Sequence, residues 1–272
     1  SVPILFSSMG SVCSFSSACE LRRDVEAAGL IADFIGLAIA AVLIFRRLRL
    51  LGGKTEKKRV FHMVRMRRML VINRDIFLRT FCVVSTSAIF IARSAELGDL
   101  EAAANQILLN FLMFTSFGVD GLAFAAEALI GEAIGRRNVS RFRITARTVL
   151  FWTAVFAIIN ASIYLFLGMP IVRLMTNIES VRQTAEMYIW WSIAMPLISS
   201  WAFSLDGIFI GATRTRTLRN SMFAAFGVFL LIVFCISPLT GNHSLWLAFF
   251  VFLTLRGAIL AARYPALRRS LE

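Results

Sequence analysis

Five acidic residues fall within stretches that are otherwise apolar enough to cross a membrane: Asp33, Asp120, Glu127, Glu132 and Asp206. An ionised aspartate at the centre of a membrane helix costs roughly 2.5–3.5 kcal/mol to insert, so such residues point to a functional site. One cation, Arg256, is counted against them, because Arg79, Arg147 and Arg219 lie near the ends of predicted spans and are assigned to the loops. The remaining acidic excess must be protonated, hydrated or bound to a cation.

The strongest candidates are Asp120 and Glu127, which are seven residues apart and therefore share one face of a helix. Asn110 precedes them on the same segment, and the three predict a polar stripe that faces a cavity. A carboxylate buried there holds a proton more tightly than one in water, and its oxygens can also coordinate sodium. This is the chemistry of a coupled antiporter, in which the ion and a cationic substrate compete for one negative site.

Structural roles compete with this interpretation for the other acids. Asp206 can form a structural pair with Arg256, and Glu132 can meet Arg136 four residues further along its helix. Asp33 can lie near the outer interface in contact with water. The two acids of the predicted stripe have no cation nearby in the sequence, which leaves them as the clearer functional candidates.

The high apolar and low charged content of the chain is typical of a membrane protein. Of 272 residues, 58% are hydrophobic and 17% are charged, against about 45–50% and 25% in soluble domains. The four cysteines have no metal-ligand spacing, and no nucleotide-binding glycine loop is present. We therefore expect neither an enzyme nor a bound cofactor, apart from a proton or sodium as coupling ion.

Seven apolar stretches are long enough to cross a bilayer as helices, since backbone amides in lipid must be satisfied within one segment. The sequence thus predicts an all-α polytopic membrane protein with about seven transmembrane helices. The predicted spans are 25–45, 76–92, 101–135, 144–168, 186–211, 218–237 and 243–262.

The positive charge follows the predicted topology. The net charge is +13, and twelve of the 29 Lys and Arg lie between Arg46 and Arg79, with most of the others in alternate loops. By the positive-inside rule the C-terminus is cytoplasmic, in an inner or plasma membrane. This distribution argues against a nucleic-acid partner. The basic stretch at residues 57–77 also has apolar residues at roughly helical spacing, which indicates either a surface helix on anionic lipid headgroups or a solvated linker.

Four stretches resemble the multidrug and toxic compound extrusion (MATE) transporters, in their DinF-type branch. They are NRDIFLRT at 73–80, LGDLEAAANQILLNFLMFTSFGVDGLAFAAEALIGEAIGRRN at 97–138, WAFSLDGIFIGATRTRTLRN at 201–220 and GNHSLWLAFFVFLTLRG at 241–257. The family has twelve helices in two six-helix lobes. The resemblance implies that this chain is its C-terminal part, with one N-lobe helix followed by the whole C-lobe.

The resemblance also implies a domain order. Residues 1–24 are an ill-defined N-terminal segment, 25–45 the last N-lobe helix and 46–75 a basic cytoplasmic linker between the lobes. Residues 76–262 are the C-lobe bundle and 263–272 a cytoplasmic tail. The sequence does not begin with Met, and we expect a fragment whose N-lobe, about five further helices, belongs to a longer chain.

The function that the resemblance implies is proton- or sodium-coupled export of small cationic or amphipathic substrates. In sodium-coupled members, C-lobe acids carry the ion, and Asp206 occupies the corresponding helix, so sodium at Asp206 is one expectation. Proton-coupled members rely on an Asp of the first helix, which this sequence lacks. The alternatives are a lipid-precursor flippase of the same superfamily and a non-transporting remnant. A seven-helix receptor does not explain the basic first loop.

Overall fold

The computed structural model describes residues 34–46, 49, 63–235 and 241–271, with the backbone alone at residues 65 and 68. It is an all-α polytopic membrane protein. The helices of the described residues are α1 Phe34–Arg46, α2 Met63–Leu97, α3 Asp99–Gly135, α4 Val139–Met175, α5 Glu179–Gly211, α6 Thr215–Cys235 and α7 Asn242–Arg269.

Six helices, α2 to α7, are long and apolar enough to cross a membrane within the described part of the chain. The first predicted span is represented by α1, a shorter apolar helix over Phe34–Arg46. Residues 25–33, with Asp33, and the N-terminal segment 1–24 lie outside the described residues. The boundary between two units of the chain falls between Met63 and Val64, and the site described below belongs wholly to the second.

Helix α2 begins at Met63, thirteen residues before the predicted start of its span. The basic segment that the sequence assigned to a surface helix or a linker is, from Met63 onward, the first part of this one helix. The predicted span starts only at residue 76 because hydropathy marks where a helix is apolar, whereas the backbone hydrogen-bond ladder continues through basic residues. Residues 47, 48 and 50–62 lie outside the described residues.

Two short turns at one end of the bundle share a backbone conformation. Arg137 follows α3 and Thr213 follows α5, and both adopt a positive φ, 52° and 55°. This left-handed conformation ends each helix by redirecting the chain. Asn138 is the N-cap of helix α4, and its side chain accepts a hydrogen bond of 2.9 Å from the backbone N–H of Arg141.

We call this end the basic end: it holds the start of α2, the α3–α4 and α5–α6 turns and the C-terminal part of α7. A hydrogen bond of 2.8 Å from Arg214 Nη2 to Ser270 Oγ joins the α5–α6 turn to the residue after α7. At the opposite end, α2 and α3 meet at Gly98, whose φ of 135° only glycine adopts readily.

A buried polar cluster joins three helices near that opposite end. The Asn105 amide group donates to Ser94 Oγ and to Asn242 Oδ1, and Asn105 Oδ1 accepts from Trp246 Nε1 at 2.8 Å. Asn105 is 1% exposed. Each polar atom at this junction of α2, α3 and α7 thus has a partner, as burial in a low-dielectric interior demands.

Replacing Asn105 by leucine is expected to lower the free energy of unfolding by about 1–2 kcal/mol, because the Trp246 N–H loses its acceptor. The measurement is SDS-induced unfolding in mixed micelles, followed by circular dichroism. Gln106→Leu, at the exposed next position of α3, is the matched control. Equal midpoints for the two variants would contradict a stabilising role for the cluster.

Candidate functional site

A buried carboxylate joins three helices in the membrane interior. Asp206, near the end of α5, is 2% exposed. Its Oδ2 accepts hydrogen bonds from Nη2 of Arg79 on α2 and from Nη2 of Arg256 on α7. Arg256 is also buried, and its guanidinium lies 5.0 Å from the centre of the Phe203 ring. We call Asp206, Arg79 and Arg256 the arginine clamp.

The clamp contains the Asp206–Arg256 pair that was one of the alternatives, together with a second cation that sequence reasoning missed. Arg79 had been counted with the cytoplasmic linker cations, and that assignment was wrong. The helix that carries Arg79 starts at Met63, so the residue lies sixteen positions inside it. Its side chain is 19% exposed and reaches Asp206.

Two guanidinium charges around one carboxylate give the clamp a net positive charge. Three buried polar atoms of the clamp have no hydrogen-bond partner among the described residues: Asp206 Oδ1 and the Nε atoms of Arg79 and Arg256. The same holds for the hydroxyls of Ser199 and Ser200, which precede Asp206 on α5. The two guanidinium groups oppose a sodium ion at the same carboxylate, because like charges repel strongly in a low dielectric. In this conformation the carboxylate has a structural role.

Asp120 and Glu127 lie in a different setting on α3. Both side chains are partly buried, and neither forms a hydrogen bond or an ion pair with any residue that the structure describes. Their spacing places them, with Ala123, along one stripe of the helix, about 10 Å apart along its axis. These two carboxylates are therefore available for an ion or a substrate.

Close packing between α3 and α5 places this stripe beside the clamp. The glycines Gly207 and Gly211 of α5 face the backbone of α3: a Cβ on Gly207 would lie 2.9 Å from the Ala123 Cα, and one on Gly211 2.6 Å from the Glu127 carbonyl oxygen. This small-xxx-small spacing lets membrane helices approach closely. Asp206 directly precedes Gly207, so the clamp and the stripe lie at similar depth.

Asn110 does not extend the stripe. Ten residues separate it from Asp120, which turns it about 80° around the helix axis. It is partly buried on α3 and makes no hydrogen bond within the described part of the chain. The polar stripe therefore consists of the two acids, and Asn110 points in another direction.

Glu132 is neutralised at the basic end. Its Oε1 lies 3.0 Å from Arg136 Nη2 and its Oε2 2.9 Å from Arg141 Nη2. The first pair is the one that the i, i+4 spacing predicted, and the second comes from the following helix. Because both oxygens are occupied at an exposed end, Glu132 is not a candidate for ion binding.

Asp75 is a buried acid that sequence reasoning passed over. It is fully buried on α2, and its carboxylate accepts from Arg219 Nη1 at 2.8 Å and from Thr215 Oγ1 at 3.2 Å, both on α6. Its position within a run of basic residues concealed the burial. The only sequence signal was that Asp75 belongs to the NRDIFLRT stretch at 73–80.

The described residues contain no group of three His, Cys, Asp or Glu side chains that could hold a metal ion. Cys82 is a buried free thiol and Cys235 an exposed one, both within spans.

Comparison with known proteins gives a consistent result. The MatE family model matches residues 76–236. The chain is 36% identical over 245 residues to the DNA damage-inducible protein F of Escherichia coli K12, which covers 89% of this chain and 53% of that protein. It is 24% identical over 205 residues to the multidrug resistance protein MdtK of Photorhabdus laumondii, covering 73% and 45%.

A plant relative is more distant. Protein DETOXIFICATION 42 of Arabidopsis thaliana is 26% identical over 181 residues, which are 66% of this chain and 34% of that protein. The chain thus spans between a third and about half of the length of these curated relatives.

Proposed function

Because the chain belongs to the MatE family of transporters, which are not enzymes, we propose that it is part of an antiporter that exports organic cations or amphipathic molecules in exchange for protons or sodium ions. The name of one relative, the multidrug resistance protein MdtK, supports substrates of this class. We propose that the C-terminus lies on the cytoplasmic side of an inner or plasma membrane. In that orientation the arginine-rich basic end faces the cytoplasm, where loops of membrane proteins carry an excess of Lys and Arg.

The observation that carries this proposal is the pair of carboxylates on α3 that have no partner in the described part of the chain. Asp120 and Glu127 lie within a membrane span, where an ionised and unpaired acid is costly. A bound proton, sodium ion or cationic substrate removes that cost. Competition between the ion and the substrate for these oxygens is sufficient to couple their movements in opposite directions.

The arginine clamp and the acid stripe have separate roles in this proposal. Asp206 holds α2, α5 and α7 together, whereas Asp120 and Glu127 exchange ions with the transport pathway. Among the two ions we favour the proton, since one carboxylate oxygen is sufficient to hold it. Sodium at Asp206 would require the two arginines to move away first.

Transport by proteoliposomes tests this assignment. The complete gene product that contains this chain is reconstituted, and efflux of a fluorescent organic cation is driven by an imposed proton or sodium gradient. We expect Asp120→Asn and Glu127→Gln each to lower the ion-driven rate by about tenfold or more, because a neutral amide cannot bind and release the ion. A tenfold lower rate corresponds to an increase of about 1.4 kcal/mol in the activation free energy of ion-driven transport.

Asp99→Asn, at the exposed first turn of the same helix, is the matched control and should transport at the wild-type rate. Wild-type rates in both α3 variants would refute the acid-stripe mechanism. A wild-type efflux rate that changes with neither the proton nor the sodium gradient would refute the antiporter proposal itself. No efflux by the folded wild type would favour the non-transporting remnant instead.

The lipid-precursor flippase is the second candidate, and the net positive charge of the arginine clamp is the observation in its favour. A pyrophosphate headgroup needs guanidinium partners. Both Asp206 and Arg256 are almost completely buried, however, so the clamp offers little surface to a headgroup in this conformation. Translocation of a labelled lipid pyrophosphate in the same proteoliposomes separates the two candidates.

A further inference from the structure

The basic end contains a cavity that the proposed transport pathway does not use. It has a volume of about 610 Å³ and lies between the first turns of α2 and the α5–α6 turn. Arg67 lines it from α2, and Arg214 and Arg216 line it from the turn and from the start of α6. Three cationic side chains from two separate parts of the chain thus converge on one space.

Most of this positive charge has no counter-ion among the residues that the structure describes. Arg67 and Arg216 are exposed and form no ion pair or hydrogen bond with any residue that the structure describes, while Arg214 donates only to the neutral Ser270. The one acid that lines the cavity, Asp75, is held by Arg219 at 2.8 Å. The cavity therefore keeps a strongly positive potential, and an anion is the ligand that complements it.

The uncharged lining also suits an anion with several oxygens. Three threonines, Thr213, Thr215 and Thr217, line the same cavity. The Thr215 hydroxyl donates to Asp75, so Thr213 and Thr217 bring the hydroxyl groups that an anion can use. Thr217 lies in the first turn of α6, a helix of 21 residues whose N-terminus carries a partial positive charge. Arginine forks and hydroxyl donors at a helix start are the usual partners of a phosphate group.

The surroundings of the cavity indicate where that phosphate comes from. The first turns of α2 expose large apolar side chains, with exposed fractions of 70% at Val64, which lines the cavity, and 65% at Met69 and at Leu70, which lie outside its lining. The span of this helix begins at Met69, so the cavity lies where the membrane meets water. A free phosphate ion makes no favourable contact with this apolar surface, whereas the acyl chains of a lipid can pack on it.

We propose that this cavity binds the phosphate headgroup of an anionic phospholipid, with its acyl chains along the first turns of α2. Arg67 and Arg216 supply the main charge, and the hydroxyls of Thr213 and Thr217 supply further hydrogen bonds. A lipid bound there bridges the start of α2 and the α5–α6 turn. The proposal concerns the membrane surroundings of the protein and stands apart from the transport mechanism.

The test measures binding of a fluorescent phosphatidylglycerol to the full chain, purified in a neutral detergent at 150 mM KCl. The double variant Arg67→Gln, Arg216→Gln is expected to bind it about 10- to 30-fold more weakly than the wild type, and phosphatidylcholine should not compete. The charge-retaining variant Arg67→Lys, Arg216→Lys should keep most of the affinity. Circular dichroism checks that all variants are folded.

Arg147→Gln, Arg269→Gln is the matched control, since it removes two exposed arginines of the basic end that do not line the cavity. Less than a twofold change in this control supports a defined site. Equal losses in both double variants would show diffuse attraction and overturn the proposal. Displacement of the lipid by 10 mM inorganic phosphate would show that the cavity takes free phosphate, which would overturn the lipid assignment.

Discussion

Asp206→Ala is expected to lower the free energy of unfolding by about 3–5 kcal/mol, the usual cost of removing one member of a buried ion pair. The substitution leaves two guanidinium groups facing each other in the interior without their common acceptor. Arg256, at 1% exposure, cannot reach water without local unfolding. The measurement is the midpoint and slope of SDS-induced unfolding in mixed micelles.

A second substitution reveals whether charge imbalance causes this loss. Adding Arg256→Met to Asp206→Ala removes the more deeply buried cation and leaves Arg79, whose side chain is 19% exposed and can turn toward water. We expect the double variant to be more stable than Asp206→Ala alone. Asp99→Ala, an exposed acid of α3, should leave stability unchanged, and wild-type stability of Asp206→Ala would refute the clamp.

Gly207→Leu is expected to separate α3 from α5 and to cost about 3 kcal/mol, at the upper end of the range for overpacked cores. The obstacle to the added side chain is the α3 backbone, since a Cβ at this position would already lie 2.9 Å from the Ala123 Cα and 3.0 Å from its carbonyl carbon. Backbone atoms of a packed helix cannot turn aside as a flexible side chain can.

The control for this prediction lies on the facing helix. Gly121 of α3 has open space where its Cβ would be, so Gly121→Leu should change the free energy of unfolding by less than about 1 kcal/mol. Both variants are compared in the same SDS titration, and Gly207→Ala should fall between wild type and Gly207→Leu. Indistinguishable midpoints for Gly207→Leu and Gly121→Leu would refute the close α3–α5 contact.

The positions of the spans could be predicted from sequence more accurately than their ends. The last predicted span was 243–262, whereas α7 runs over Asn242–Arg269. Helix α4 likewise extends over Val139–Met175, well beyond the predicted 144–168. Basic and polar residues at the membrane surface continue a helix without being apolar, so a hydropathy pattern stops before the hydrogen-bond ladder does.

The candidate site was predicted in part. Asp120 and Glu127 could be selected because both are acids within an apolar run and lie seven residues apart, a pattern that needs no knowledge of any other helix. The i, i+4 pair of Glu132 with Arg136 could be predicted for the same local reason. Asp75 could not, because its partners lie about 140 residues away on α6.

The sequence by itself determined that this protein is a bundle of membrane helices with acids inside it, because the length of each apolar run and the need to satisfy backbone amides in lipid are local properties. Only the tertiary structure decided which acids are paired. Asp206 meets Arg79 across 127 positions and Arg256 across 50, and these contacts depend on how each helix is rotated and how closely its neighbours approach. That packing neutralises Asp206 and leaves the α3 acids as the ones without a partner in the described part of the chain.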